Sequence, residues 1–115
     1  MISGAHVTVF SSDAEATRAF FRDVLELESV DAGGGWLIFA LPPAELGVHP
    51  TDAEPHHDLY LMCDDIGATA AALADKGAEL DGGIRDEAFG RVAYVRVPGI
   101  ERLGIYEPRH ASPLS

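Results

Sequence analysis

Two segments of this chain repeat one plan, and that repetition narrows the possible folds more than any other feature. His6-Val7-Thr8-Val9-Phe10-Ser11-Ser12-Asp13 lies over Asp58-Leu59-Tyr60-Leu61-Met62-Cys63-Asp64-Asp65; each alternates around apolar residues and ends on an Asp before an Ala-rich stretch. In the same alignment Thr17 meets Thr69, Ala19 meets Ala71 and Asp23 meets Asp75. Further on, Leu46-Gly47-Val48 meets Leu103-Gly104-Ile105, followed by Pro50 and Pro108. A repeat this long is one supersecondary unit that cannot bury its apolar face alone, so two copies must pack on each other. The expected organisation is one domain of 115 residues, with module one at about 4–52, module two at about 56–108 and a frayed tail over 109–115.

Each module reads as strand, helix, then further strands. In the first, residues 5–10 have strand character. Ser12-Asp13-Ala14-Glu15 has the form of a capping box with Ser12 as cap, and Phe20, Phe21, Val24 and Leu25 then form an apolar helical face. Gly33-Gly34-Gly35 is a turn into the strand 36–41; a phosphate-binding loop would open a helix instead. Pro42-Pro43 ends that strand, and 46–49 makes another. In the second module Asp65 caps a helix that buries Ile66, Ala70 and Leu73 and stops at Lys76-Gly77. Gly82-Gly83 is a turn, and strands 91–97 and 103–106 flank a turn at Pro98-Gly99. The fold class is α+β: two βαβββ modules curled around a cavity.

Charge removes whole classes of partner. Lys and Arg total 8 against 19 Asp and Glu, a net charge of −11, which repels nucleic acid and anionic membrane surfaces alike. No apolar run approaches the roughly 20 residues that span a bilayer. Cys63 is the only cysteine, so no internal disulfide exists, and the Met-Ile-Ser-Gly-Ala-His start lacks the features of a secretory signal; a cytoplasmic protein is expected. Cys63 itself reads as a small buried hydrophobe.

With these elements in place, the chain resembles the vicinal oxygen chelate superfamily, the glyoxalase/bleomycin resistance/dioxygenase group. The resemblance rests on His6 with Asp13 seven residues on, on Tyr60-Leu61-Met62-Cys63-Asp64-Asp65-Ile66, and on Leu103-Gly104-Ile105-Tyr106-Glu107-Pro108. It implies paired modules, a homodimer and, in the enzymes, a divalent ion (Fe, Mn, Ni or Zn) held by four side chains, one from the first and one from the last strand of each module. Carried over position by position, His6 matches. Gly47 and Gly104 occupy the acid positions, and Asp58 stands where a second His is usual. A slipped register would exchange His57 for Asp58 on the cavity side, and His49 lies two residues beyond Gly47 on the same face, so His6, His49 and His57 or Asp58 form a rearranged ligand set.

Three functions compete. The first is a small-molecule binding protein of the bleomycin-resistance kind with a degenerate metal site. Its cavity is lined by His6, Thr8, His49, Asp58, Tyr60 and Tyr106, and its charge suits a cationic ligand. The second is a metal-dependent dioxygenase, lyase or isomerase, with His6, His57 and Asp58 on the ion and Tyr106 or His49 as acid or base. The third is a structural or regulatory protein whose cavity is filled by Phe10, Trp36, Phe39 and Met62. Beside these, His6 also reads as a hydrogen-bonded core histidine, and the two tyrosines as core residues with outward hydroxyls.

Overall fold

Asp13 and Asp65, the two residues that the repeat aligns, each begin a ten-residue helix: α1 over Ala14–Asp23 and α2 over Ile66–Asp75. The Asp13 carboxylate accepts the Ala16 N–H at 3.1 Å, and the Asp65 carboxylate accepts that of Ala68 at 3.0 Å. Each satisfies one of the donors a helix start leaves open. The expected cap, Ser12, is drawn elsewhere: its N–H and hydroxyl both donate to the Gly99 carbonyl, at 2.9 and 3.2 Å. α2 stops as expected, with Gly77 at φ +90°, a conformation that favours glycine.

These features come from a computed structural model that describes residues 6–45, 47, 50, 52–111, 113 and 114. Six strands accompany the helices: β1 (Ser29–Asp31), β2 (Leu37–Phe39), β3 (Tyr60–Met62), β4 (Arg85–Glu87), β5 (Gly90–Val97) and β6 (Glu101–Pro108). The second module is complete. Its sheet runs β3-β6-β5-β4, with β3 parallel to β6 and the other pairs antiparallel. The alternation of β5 and β6 sends Ala93, Val95, Val97, Leu103 and Ile105 to one side, where they form a buried core with Ile66, Leu73 and Phe20. Ile66 and Val95 are wholly removed from solvent, worth roughly 1.5–3 kcal/mol each.

The first module differs from expectation. Residues 6–10 form no strand, and Val7 and Phe10 are exposed. Strand propensity yields a strand only where a neighbouring edge supplies hydrogen bonds. The expected partner segment, 46–49, has Leu46, Val48 and His49 outside the described residues. The anticipated strand 36–41 shortens to β2, which pairs antiparallel with β1. Their turn is tied by the Asp31 carboxylate, which accepts the N–H groups of Gly33 at 2.7 Å and Gly35 at 3.2 Å. The two sheets do not close into a barrel. The start of the tail is held: the Arg109 N–H donates to the Phe89 carbonyl at 3.0 Å, and its guanidinium reaches the Glu87 carbonyl and the Asp86 carboxylate.

Candidate functional site

The same alternation that buries one side of the second sheet leaves the other side open, carrying Tyr60 and Met62 of β3, Tyr94 of β5, and Gly104 and Tyr106 of β6. Tyr60 pairs in register with Gly104, and its ring lies on that glycine so closely that a Cβ there would overlap it. The Tyr60 and Tyr94 hydroxyls are 3.2 Å apart, and the Tyr60 ring centre is 6.2 Å from that of Tyr106. Phe89 and His110 extend the row, 6.0 and 5.8 Å from Tyr106. At the opposite end the Arg102 guanidinium sits 3.9 Å over the Tyr94 ring.

Tyr60 and Tyr106 are held in their protonated form. The hydrogen bond to Tyr94, together with burial and neighbouring negative charge, pushes Tyr60 up to about 12. Burial and the nearby Glu45 carboxylate raise Tyr106 above its ordinary value, and its hydroxyl donates to the Phe89 carbonyl at 3.0 Å. Such groups offer ring faces and hydroxyl hydrogen bonds rather than a base. Burial likewise pushes the Cys63 thiol up, away from nucleophilic use.

Of the six residues expected to line one cavity, the five that are described divide between two places. His6 and Thr8 border a recess of about 230 Å³ between α1, the β1–β2 hairpin and β3, together with Phe21, Trp36, Phe39 and Leu61. Asp58, Tyr60 and Tyr106 do not border it; the two tyrosines belong to the open sheet face, and Asp58 lies beside Tyr60, 3.7 Å from His56 Nε2. His49 lies outside the described residues. Of the residues expected to fill the cavity, Trp36 and Phe39 border this recess and Phe10 and Met62 do not; Phe10, Trp36 and Met62 are 91%, 63% and 41% exposed. A wider groove of about 930 Å³ lies beside the β5–β6 turn, open to solvent and bordered by Lys76, Glu79, Arg96 and Glu101.

The donors do not assemble a metal centre among the described residues. Among the described residues no three His, Cys, Asp or Glu side chains come together as a ligand group, and His57 is exposed. The site does contain two residues that sequence reasoning missed. Glu45 reaches the Tyr106 end of the face, with Oε1 3.7 Å from His110 Nε2 and Oε2 buried with no hydrogen-bond partner among the described residues. A signal for Glu45 existed: it stands two residues before Gly47, as His49 stands two after it.

Residues 4–110 match the family model described as Glyoxalase/Bleomycin resistance protein/Dioxygenase superfamily. Among solved structures, a lactoylglutathione lyase from Agrobacterium tumefaciens is similar with TM-score 0.65 and 15% identity, over 90% of this chain and 92% of that one. The antibiotic binding protein TnmS3 from Streptomyces sp. CB03234 is similar with TM-score 0.64 and 25% identity, over 94% and 99%. A superfamily member from Sphaerobacter thermophilus DSM 20745 has TM-score 0.64 and 19% identity, over 91% and 97%. No curated protein matches the chain significantly. With the family model spanning nearly its whole length and these folds superposing on it, the chain belongs to the Glyoxalase/Bleomycin resistance protein/Dioxygenase superfamily.

Proposed function

We propose that this protein binds a small organic ligand against the tyrosine-lined face of its second sheet and does so without a chelated metal. One observation carries the reading: the Tyr60 ring occupies the space over Gly104, the position to which the superfamily resemblance assigns the last metal-binding acid. Any side chain at 104 would run into that ring, so this position gives a ligand an aromatic surface in place of a carboxylate. Tyr106 and Tyr94 continue the surface, and a well-placed ring pair adds roughly 0.5–1.5 kcal/mol beyond the area it buries. The likeness to an antibiotic binding protein at 25% identity agrees with this choice over metal chemistry.

The working unit in this reading is a cytoplasmic homodimer of single-domain chains. Val30 and Trp36, 68% and 63% exposed on the hairpin, are apolar surface for a second copy to cover. Among the described residues no helix is long and apolar enough to cross a membrane.

Calorimetric titration with a panel of planar aromatic compounds tests the proposal. Binding is expected in the unaltered protein, weakened about tenfold or more by Tyr106→Ala. Elemental analysis after anaerobic incubation with Fe, Mn, Ni and Zn salts is the counter-test. Close to one retained ion per chain, together with no aromatic binding, would overturn it in favour of the metal-dependent dioxygenase or lyase reading.

A further inference from the structure

We infer that Glu45 is the anchor for a positively charged nitrogen on the ligand, a protonated amine seated between the Glu45 carboxylate and the rings of Tyr106 and His110. The inference rests on the binding reading above and adds the chemical class of the ligand. Glu45 is mostly shielded, its side chain 14% exposed, yet Oε2 meets no donor among the described residues. A buried carboxylate oxygen left without a donor is costly, and an incoming N–H would remove that cost.

The neighbouring histidine does not fill this role. His110 Nε2 stands 3.7 Å from Oε1, beyond hydrogen-bond length, and its Nδ1 lies 2.8 Å from the Ala111 carbonyl, which can only accept. Nδ1 therefore donates to that carbonyl, and Nε2, at 3.7 Å, makes no hydrogen bond to the carboxylate.

The ring faces nearby suit a cation for a separate reason. Tyr106 and His110 lie 5.8 Å apart with planes at 36°, and the Phe89 ring lies 6.0 Å from Tyr106. A cation among such faces is attracted by their quadrupoles.

The other end of the face makes the preference directional. Arg102 is the positive group there, but its charge is already engaged by the Tyr94 ring and by Asp81 at 4.0 Å. A ligand's anionic group would meet a cation already shared between a ring and Asp81, whereas its cationic group would meet a carboxylate oxygen with no hydrogen-bond partner among the described residues. The net charge of −11 draws cations to the protein in the same sense.

The test uses two probes that differ in one group, naphthylmethylammonium and naphthylmethanol, titrated calorimetrically into the full chain. The ammonium is expected to bind about tenfold or more tightly than the alcohol. Glu45→Gln should bring the ammonium down to the alcohol's affinity and leave the alcohol unchanged, which also shows that the variant is folded. Glu15→Gln, the same charge change on the exposed side of α1, should keep the preference. In the unaltered protein the ammonium, and not the alcohol, should shift the carbon resonance of the Glu45 carboxylate.

Equal binding of both probes, a preference that survives Glu45→Gln, a preference lost in Glu15→Gln, or an unmoved Glu45 resonance each overturns the inference while leaving the binding reading in place. Failure of both probes to bind at millimolar concentration overturns both.

Discussion

α1 and α2 have equal length and equivalent caps, yet they end in different company. α2 lays Ile66, Ala70 and Leu73 against β5 and β6, whose facing side chains are at most 4% exposed. α1 buries Thr17 and Phe20, and among the described residues its own module offers only a hairpin of three-residue strands with Val30 on the surface. A helix closes its hydrogen bonds within itself, so one capping Asp suffices to start it in either half. A strand has no such independence, and a two-stranded hairpin is marginal unless something packs on it. Among the described residues the repeat therefore gives its helices twice and the full sheet once.

The sharpest way to break this comparison is to remove equal volume from each half. Ile66→Ala, at a residue with no exposure, should cost about 2–5 kcal/mol, whereas Ile38→Ala in the hairpin should cost less than about 1 kcal/mol. Chemical denaturation of both variants measures the difference, and equal losses would mean that the hairpin is packed as tightly as the second sheet.

A smaller effect is expected where the open face is tightest. Gly104→Ala forces a methyl group into the Tyr60 ring and should cost about 1–3 kcal/mol. In a Tyr60→Ala background most of that loss should vanish, because the two changes act on one contact. Additive losses would show that Tyr60 does not press on Gly104 in solution.

The smallest effect concerns pH. Tyr60 is raised from 10 to about 12, so the folded state favours its neutral form. Its contribution is whole below pH 10 and is lost as pH rises towards 12. Ultraviolet titration of phenolate absorbance should show one late tyrosine that disappears in Tyr60→Phe. No late step in the unaltered protein would mean that the Tyr60–Tyr94 hydrogen bond is absent.

Most of the second module was legible in the sequence because its elements carry strong periods. Residues 91–97 and 103–106 alternate, 66–75 repeats at helical spacing, and Lys76-Gly77 marks a stop. β4 was not legible: Arg85, Asp86 and Glu87 are all exposed, and only pairing with β5 makes them a strand. β1 was hidden likewise, since Ser29-Val30-Asp31 has one apolar residue and that residue faces solvent. The shift of the first cap from Ser12 to Asp13 was out of reach for another reason. Both residues are good caps, and a carbonyl at Gly99 decides between them.

The same holds at the site. Tyr60 and Tyr106 stood out as aromatic residues on strands, and the missing acid at Gly104 was plain. That Tyr60 fills the missing acid's space follows from strand register alone. The spacing of Glu45 from Gly47 was legible, but its approach to Tyr106 and His110 joins segments far apart in sequence, and no local pattern encodes that contact.

The tie between Ser12 and Gly99 sets a schedule for synthesis. The two residues are 87 positions apart, and Thr17 is likewise fastened to Pro98, its hydroxyl 2.5 Å from that carbonyl. The landing place of the first helix is thus made from residues that leave the ribosome late. At 5–20 residues per second, α1 waits on the order of ten seconds for it. Through that interval Phe20 has no core to enter, because its neighbours Val97 and Leu103 have not been made. Translation speed between α1 and Gly99 therefore sets how long that apolar surface stays open to chaperones or to other chains.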